Sequence, residues 1–284
     1  MKTSINEERG NINVLFEHPD ETEVSPEWHL GERKIQFAWI PPGQCLALRQ
    51  PAQRNLVKVV SGYLSEPDRR AFCEPRGLQD TLFQGEKMIA ADEGALVAIV
   101  TEAESTPVHA MDELTFSGPL SEALVWKSFD EQFGHVTDAF SGADAYIGPG
   151  FHLFADTGEE TCFLNIWTAG KGVDLTTHNH GHDPSPLAPA FAETHLVVVN
   201  GTGSGGMYEC AEPGAEKTRY PIAAGFEHGP FFDIDSMTGL PVMLPNGAVS
   251  YPWHGWEAGA DDDPRQSYDL VFAFETQPSM VRVP

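Results

Sequence analysis

The feature that most constrains this chain is that it repeats itself. Glu32-Arg-Lys-Ile-Gln-Phe-Ala-Trp-Ile-Pro-Pro-Gly43 runs beside Glu160-Thr-Cys-Phe-Leu-Asn-Ile-Trp-Thr-Ala-Gly-Lys-Gly172, and both stretches end in a glycine. Further on, Asn55-Leu-Val-Lys-Val-Val-Ser-Gly62 runs beside Thr194-His-Leu-Val-Val-Val-Asn-Gly201, a register that sets Arg54 opposite Glu193. Internal repetition fixes the fold more tightly than any single segment, because one plan must serve both copies. The repeated units are short β-branched and aromatic runs between Gly, Pro and Asn turns, and few segments carry helical periodicity. The expectation is an all-β chain with one domain over 1–120, a linker over 121–150 and a second domain over 151–284. Leu124, Trp126, Phe129 and Phe133 fall roughly on one helical face behind Ser121 as a cap, which predicts a helix over 121–133 near the junction.

The chemistry is concentrated in the second copy. Gly172-Val-Asp-Leu-Thr-Thr-His178-Asn-His180 places two histidines two apart on an extended segment, so both rings point the same way. A carboxylate, Glu193, precedes the apolar run Leu196-Val-Val-Val199 and can meet them from the next strand. Between His180 and Glu193 lies a turn-rich stretch, His182-Asp-Pro-Ser-Pro-Leu-Ala-Pro189, which reads as a surface loop. In the first copy Arg49-Gln-Pro51 stands where the His-x-His pair stands in the second, so the ligands are missing there.

A glycine, five residues, His-x-His, a spacer, Glu and a closing glycine resembles the first signature of the cupin superfamily, with a longer spacer than usual. The resemblance implies a bicupin, two β-barrels of the jelly-roll type, with a metal-free first half and a metal-binding second half. It also implies one more histidine from a later strand. Gly225-Phe-Glu-His228-Gly-Pro and Val249-Ser-Tyr-Pro252-Trp-His254-Gly-Trp both offer one. Asn246-Gly247 suggests an inserted hairpin between residues 232 and 249, which puts His254 on the strand and favours it over His228. The expected ligand set is His178, His180, Glu193 and His254 around one divalent transition metal (Zn, Fe, Mn or Ni, zinc slightly favoured), with two positions left open for substrate. His195, two residues from Glu193, faces the same interior and is the candidate proton-transfer residue. Trp253 and Trp256 beside His254 are candidate platforms for the C–H faces of a sugar.

Pro189-Ala-Phe-Ala-Glu193-Thr-His195, Asn200-Gly-Thr-Gly-Ser-Gly-Gly-Met207, Glu227-His228-Gly-Pro-Phe-Phe and Tyr251-Pro-Trp-His254-Gly-Trp resemble the metal-binding cupin portion of aldos-2-ulose dehydratase/isomerase proteins. That resemblance implies proton transfer on a small sugar-like keto or hydroxy substrate, by an isomerase or a dehydratase (lyase). Two other readings fit the same ligand set: an Fe(II) dioxygenase, and a non-catalytic sugar-binding module.

With 17 basic against 42 acidic residues the net charge is −25, which repels phosphate backbones and anionic lipids. Nucleic acid and membranes are therefore not expected partners; a small molecule is, and the resemblance implies a homodimer. Arg49 and Arg54 are read as structural or surface residues, with an anion site as the alternative. No secretory signal or long apolar run is seen, so a cytoplasmic location is expected. Cys45, Cys73, Cys162 and Cys210 lack the C-x-x-C spacing of a zinc knuckle or a disulfide framework. Asn200-Gly-Thr202 matches a glycosylation acceptor but reads better as a turn.

Overall fold

A computed structural model of the chain describes residues 2–6, 11–30, 33–48, 54–65, 69–71, 76–84, 87–91, 93–102, 145–155, 159–170, 172–179, 192–245, 249–259 and 268–276. All regular structure among them is β. The first half holds β1 (Lys2–Asn6), β2 (Asn11–Leu15), β3 (Glu23–Val24), β4 (Trp28–Leu30), β5 (Arg33–Ile40), β6 (Gln44–Leu48), β7 (Arg54–Leu64), β8 (Arg69–Arg70), β9 (Leu78–Asp80), β10 (Leu82–Gln84), β11 (Lys87–Ala91) and β12 (Ala95–Glu102). The second holds β13 (Ala145–Ala155), β14 (Glu159–Gly170), β15 (Asp174–His178), β16 (Ala192–Asn200), β17 (Gly206–Cys210), β18 (Thr218–Pro221), β19 (Phe226–His228), β20 (Trp253–Glu257) and β21 (Tyr268–Thr276). The helix expected over 121–133 lies outside the described residues, and β13 begins inside the expected linker.

The repeat read in the sequence is present as a repeated strand order. In one sheet β5, β12, β7 and β10 lie side by side; in the other β14, β21, β16 and β19 do so in the corresponding order. Opposite them sit β6 with β11 in the first half and β15, β20, β17 and β18 in the second. Gly43 and Gly172, matched in the sequence, both turn the chain with positive φ, 73° and 71°, a conformation that costs glycine least.

The central strands read as continuous apolar runs because both of their faces are buried. On β16, Glu193, His195 and Val197 point into their own barrel, while Leu196 and Val198 point at the other half. On β7 the same division puts Val57 and Val59 inside the barrel and Leu56 and Val60 between the halves. The two large sheets thus stack through a shared layer that includes Leu56, Leu96, Val100, Leu196, Phe272 and Phe274. Each such side chain contributes roughly 1.5–3 kcal/mol by burial. Within that layer Lys58 meets Glu227 at 2.6 Å, both side chains 1 % exposed, and Lys58 also donates to the Ala71 carbonyl at 2.9 Å.

The halves exchange strands. β2 adds parallel to β13, and β9 pairs with β19, so both outer ends of the second-half sheet are built from first-half sequence.

The sequence register needs one correction. Opposite the β12 break between Leu96 and Val97 the residue left unpaired on β7 is Val60, and at the matching break between β16 and β21 it is Val198. A bulge of this kind inserts one unpaired residue and shifts every position beyond it. Aligning the two bulges sets Asn55, not Arg54, opposite Glu193, with Val57 opposite His195. The Arg54 side chain, like Arg49, lies outside what is described.

An excursion between β19 and β20 is present where a hairpin was expected, closed by bridges Ile234 to Pro241 and Met243 to Val249. Its turn is at Asp235–Gly239, where Gly239 N–H donates to the Asp235 carbonyl; Asn246 and Gly247 lie outside the described residues. Cys45, Cys162 and Cys210 are free thiols. Asn200 ends β16 directly ahead of the turn at 201–204, its amide donating to the Ile222 carbonyl at 2.7 Å and the Gly205 carbonyl at 3.2 Å. No helix among the described residues is long and apolar enough to cross a membrane.

Candidate metal centre

The second barrel brings one cluster together from both of its sheets. β15 ends at His178 and pairs with β20 so that His178 and His254 are direct cross-strand partners, their ring centroids 4.4 Å apart. From the facing sheet β16 presents Glu193. One ligand atom from each of His178, Glu193 and His254 lies within 4.8 Å of the others. His180, the fourth expected ligand, lies outside the described residues.

The hydrogen bonds of the histidines set which ring nitrogens face the carboxylate. His254 is 0 % exposed, and its Nδ1 lies 2.8 Å from the Pro252 carbonyl, which only an N–H can satisfy. That leaves the Nε2 of His254 to face Glu193 Oε2 at 3.2 Å. A second chain runs the other way from the carboxylate. His228 Nδ1 donates to the Gly229 carbonyl at 2.6 Å, leaving its Nε2 to accept from His195 Nδ1 at 2.5 Å. Burial, and then the neighbouring His195, push the His228 pKa well below its ordinary value, so that ring is neutral. With Nδ1 engaged by His228, His195 turns its Nε2 toward Glu193 Oε1 at 3.2 Å and makes no hydrogen bond there. Imidazole nitrogens and a carboxylate oxygen gathered in a buried pocket are ligand types that a divalent transition metal takes, and His178, His254 and Glu193 supply them while His195 Nε2 stays outside the set. The donor set therefore fits a divalent transition metal.

His254, and not His228, joins His178 and Glu193, while His228 holds His195. Trp256 is unavailable as a sugar platform: it is 0 % exposed and its indole N–H donates to Asp269 at 3.1 Å. Among the described residues the aromatic rings that line the cluster are Trp167, 5.2 Å from His195 and 6.2 Å from His178 between centroids, and Phe231 and Tyr251, 5.8 and 5.9 Å from His254. Sequence reasoning missed Glu275. It is the cross-strand partner of Glu193 and accepts from Asn165 Nδ2 at 3.1 Å. Burial, with Glu193 and Glu275 adding to it, raises the Tyr251 pKa well above its usual range, so the phenol stays protonated. The signal was an acidic residue on the inward face of Tyr268–Thr276, where Val271 and Ala273 are apolar.

A jelly-roll strand order with a histidine and glutamate cluster inside the barrel is the architecture of the cupin class. The family profile described as the aldos-2-ulose dehydratase/isomerase cupin domain matches residues 12–277, and the chain belongs to that family. The aldos-2-ulose dehydratase of Phanerodontia chrysosporium is 28 % identical over 276 residues, covering 86 % of this chain and 29 % of that enzyme. The chain thus spans less than a third of this relative's length. Among solved structures, an IolB-like protein from Salmonella typhimurium LT2 aligns over 87 % of this chain and 84 % of its own, with 8 % identity and a TM-score of 0.32. A cupin 2 conserved barrel protein from Leptotrichia buccalis aligns over 92 % of both chains, with 11 % identity and a TM-score of 0.29.

Proposed function

We propose that the second barrel is a metal-dependent active centre that moves protons on a small sugar-like keto or hydroxy substrate, as an isomerase or dehydratase of the aldos-2-ulose class. The observation that carries this reading is the convergence of His178, Glu193 and His254 with the Nε2 atoms of His195 and His254 turned toward the carboxylate. The proposed ligands are His178, His180, Glu193 and His254. When bound, the metal would polarise adjacent carbonyl and hydroxyl oxygens and acidify the C–H between them.

The chain's own residues do the rest. Pro252 O fixes the tautomer of His254, so that its Nε2 faces the centre. His228 and Gly229 O hold the His195 ring in place, leaving Nε2 to take a proton from the substrate carbon and return it. Return to the neighbouring carbon isomerises the substrate; loss of a β-hydroxyl with that proton dehydrates it. Trp167, Phe231 and Tyr251 wall the site and limit water there.

The test is to load the protein with each candidate metal in D₂O and follow an aldos-2-ulose by NMR, with oxygen uptake recorded in parallel. Deuterium at the carbon next to the carbonyl, or release of water from the sugar, is expected, and both should fail in His195→Gln. Oxygen consumption with iron alone would replace this reading with dioxygenase chemistry. Saturable binding of the sugar without exchange or turnover would leave a binding module.

A further inference from the structure

The bulge alignment places a different chemistry at the same spot in the first barrel. Where the second barrel has Glu193 and Glu275 paired across β16 and β21, the first has Asn55 and Thr101 paired across β7 and β12. Where the second has His195 beside Ala273, the first has Val57 beside Ile99. Among the described residues this is no metal site, yet they do not fill the space. A cavity of about 430 Å³ remains there, within the range of small-molecule pockets.

Asn55 forms part of its wall and is 3 % exposed, and its Nδ2 has no hydrogen-bond partner. A buried amide donor left unsatisfied costs roughly 1–3 kcal/mol, and nothing in the barrel's packing requires an amide: the neighbouring inward positions on the same strand are Val57 and Val59. Lys34, Thr101 and Asn55 form one rung across three strands, with Gln36 on the next rung toward Val57. Gln36 Nε2 is committed to the Ser25 carbonyl at 2.8 Å, which leaves its oxygen to accept. Leu46, Leu48 and Ile99 line the cavity with aliphatic surface. Its charges cancel at the rim, where Lys34 meets Glu27 at 3.1 Å.

We propose that the first barrel is a second, metal-free binding site for an uncharged polyhydroxylated molecule of monosaccharide size, with Asn55 Nδ2 donating to a ligand oxygen. A hexose has a hydroxyl edge for the Lys34, Thr101 and Asn55 rung and a C–H face for Leu46, Leu48 and Ile99. The cancelled rim charge and the amide in place of a carboxylate select a neutral ligand over an anion or a cation.

The experiment is calorimetry and ligand-observed NMR with D-glucose and D-fructose on the whole chain, the double variant His178→Ala/His254→Ala, Asn55→Leu and Thr101→Val. Saturable binding by wild type is expected to survive in the double variant, which disables only the second barrel. It should weaken about ten-fold or more in Asn55→Leu and also fall in Thr101→Val. Melting of the sugar-free proteins separates a binding role from a structural one: Asn55→Leu should melt no lower than wild type, since it removes an unpaired amide. Absence of binding by wild type overturns the proposal. So does binding lost in the double variant but kept in Asn55→Leu, which would assign the sugar to the second barrel. A lower melting temperature in Asn55→Leu with unchanged binding in Thr101→Val would make Asn55 structural and overturn it as well.

Discussion

At the scale of single residues, Glu193 is the position where shape and charge can be separated. Glu193→Gln keeps the side chain's size and removes the charge that His178, His195 and His254 surround. It should cut metal affinity by at least ten to a hundred-fold, the effect of disturbing even an outer partner, read as metal per chain by elemental mass spectrometry. His228→Ala should retain the metal, since His228 reaches the carboxylate only through His195. His228 also predicts a pH dependence. Its folded pKa lies below the unfolded value of about 6.5, so the unfolded chain takes up a proton that the folded one refuses. The stability it contributes is present above that value and is lost as pH falls from about 6.5 toward the folded value. Thermal melts of metal-free protein from neutral to mildly acidic pH should show the loss, and His228→Gln should flatten it.

At the scale of elements, the ion pair between β7 and β19 ties the two halves together. Lys58→Met leaves Glu227 buried without that partner, at a cost of about 3–5 kcal/mol. Replacing both, Lys58→Met with Glu227→Leu, should recover most of that, because an apolar pair needs no desolvation; urea unfolding of the three proteins checks it. Much of this level was legible in advance. His-x-His on a strand and a carboxylate ahead of an apolar run locate His178 and Glu193, because cross-strand geometry depends on spacing alone. Other parts were hidden for physical reasons. Matching Gly62 to Gly201 slid the two copies by one residue, since a bulge adds no letter that differs from its neighbours: Val60 and Val198 look like any other valine in their runs. Glu275 belongs to no motif, and its role appears only when β21 is laid between β14 and β16. Trp256 shares the inward face of β20 with His254, two residues away, but it is packed into the barrel core with its indole N–H held by Asp269, which its sequence position does not show.

For the molecule as a whole, 17 basic against 42 acidic side chains make self-repulsion a general term in stability. Added salt shortens the screening length to about 10 Å at 0.1 M, so the melting temperature should rise from low to moderate sodium chloride. A flat response would mean that local pairs such as Lys217 with Asp174 and Glu257 already offset the charge.

The exchange of strands between the halves makes the second barrel a poor unit for transplantation. Its outermost strands β1, β2 and β9 are carried in the first copy's gene segment, β2 and β9 more than a hundred residues ahead of β13 and β19, the strands they border. A recombination event that moved only the repeat containing His178 and His254 would deliver the chemistry with raw borders at β13 and β19, open to pairing with any extended chain. The duplication is thus inherited as one piece: once the copies had lent each other their hems, neither could leave without the other.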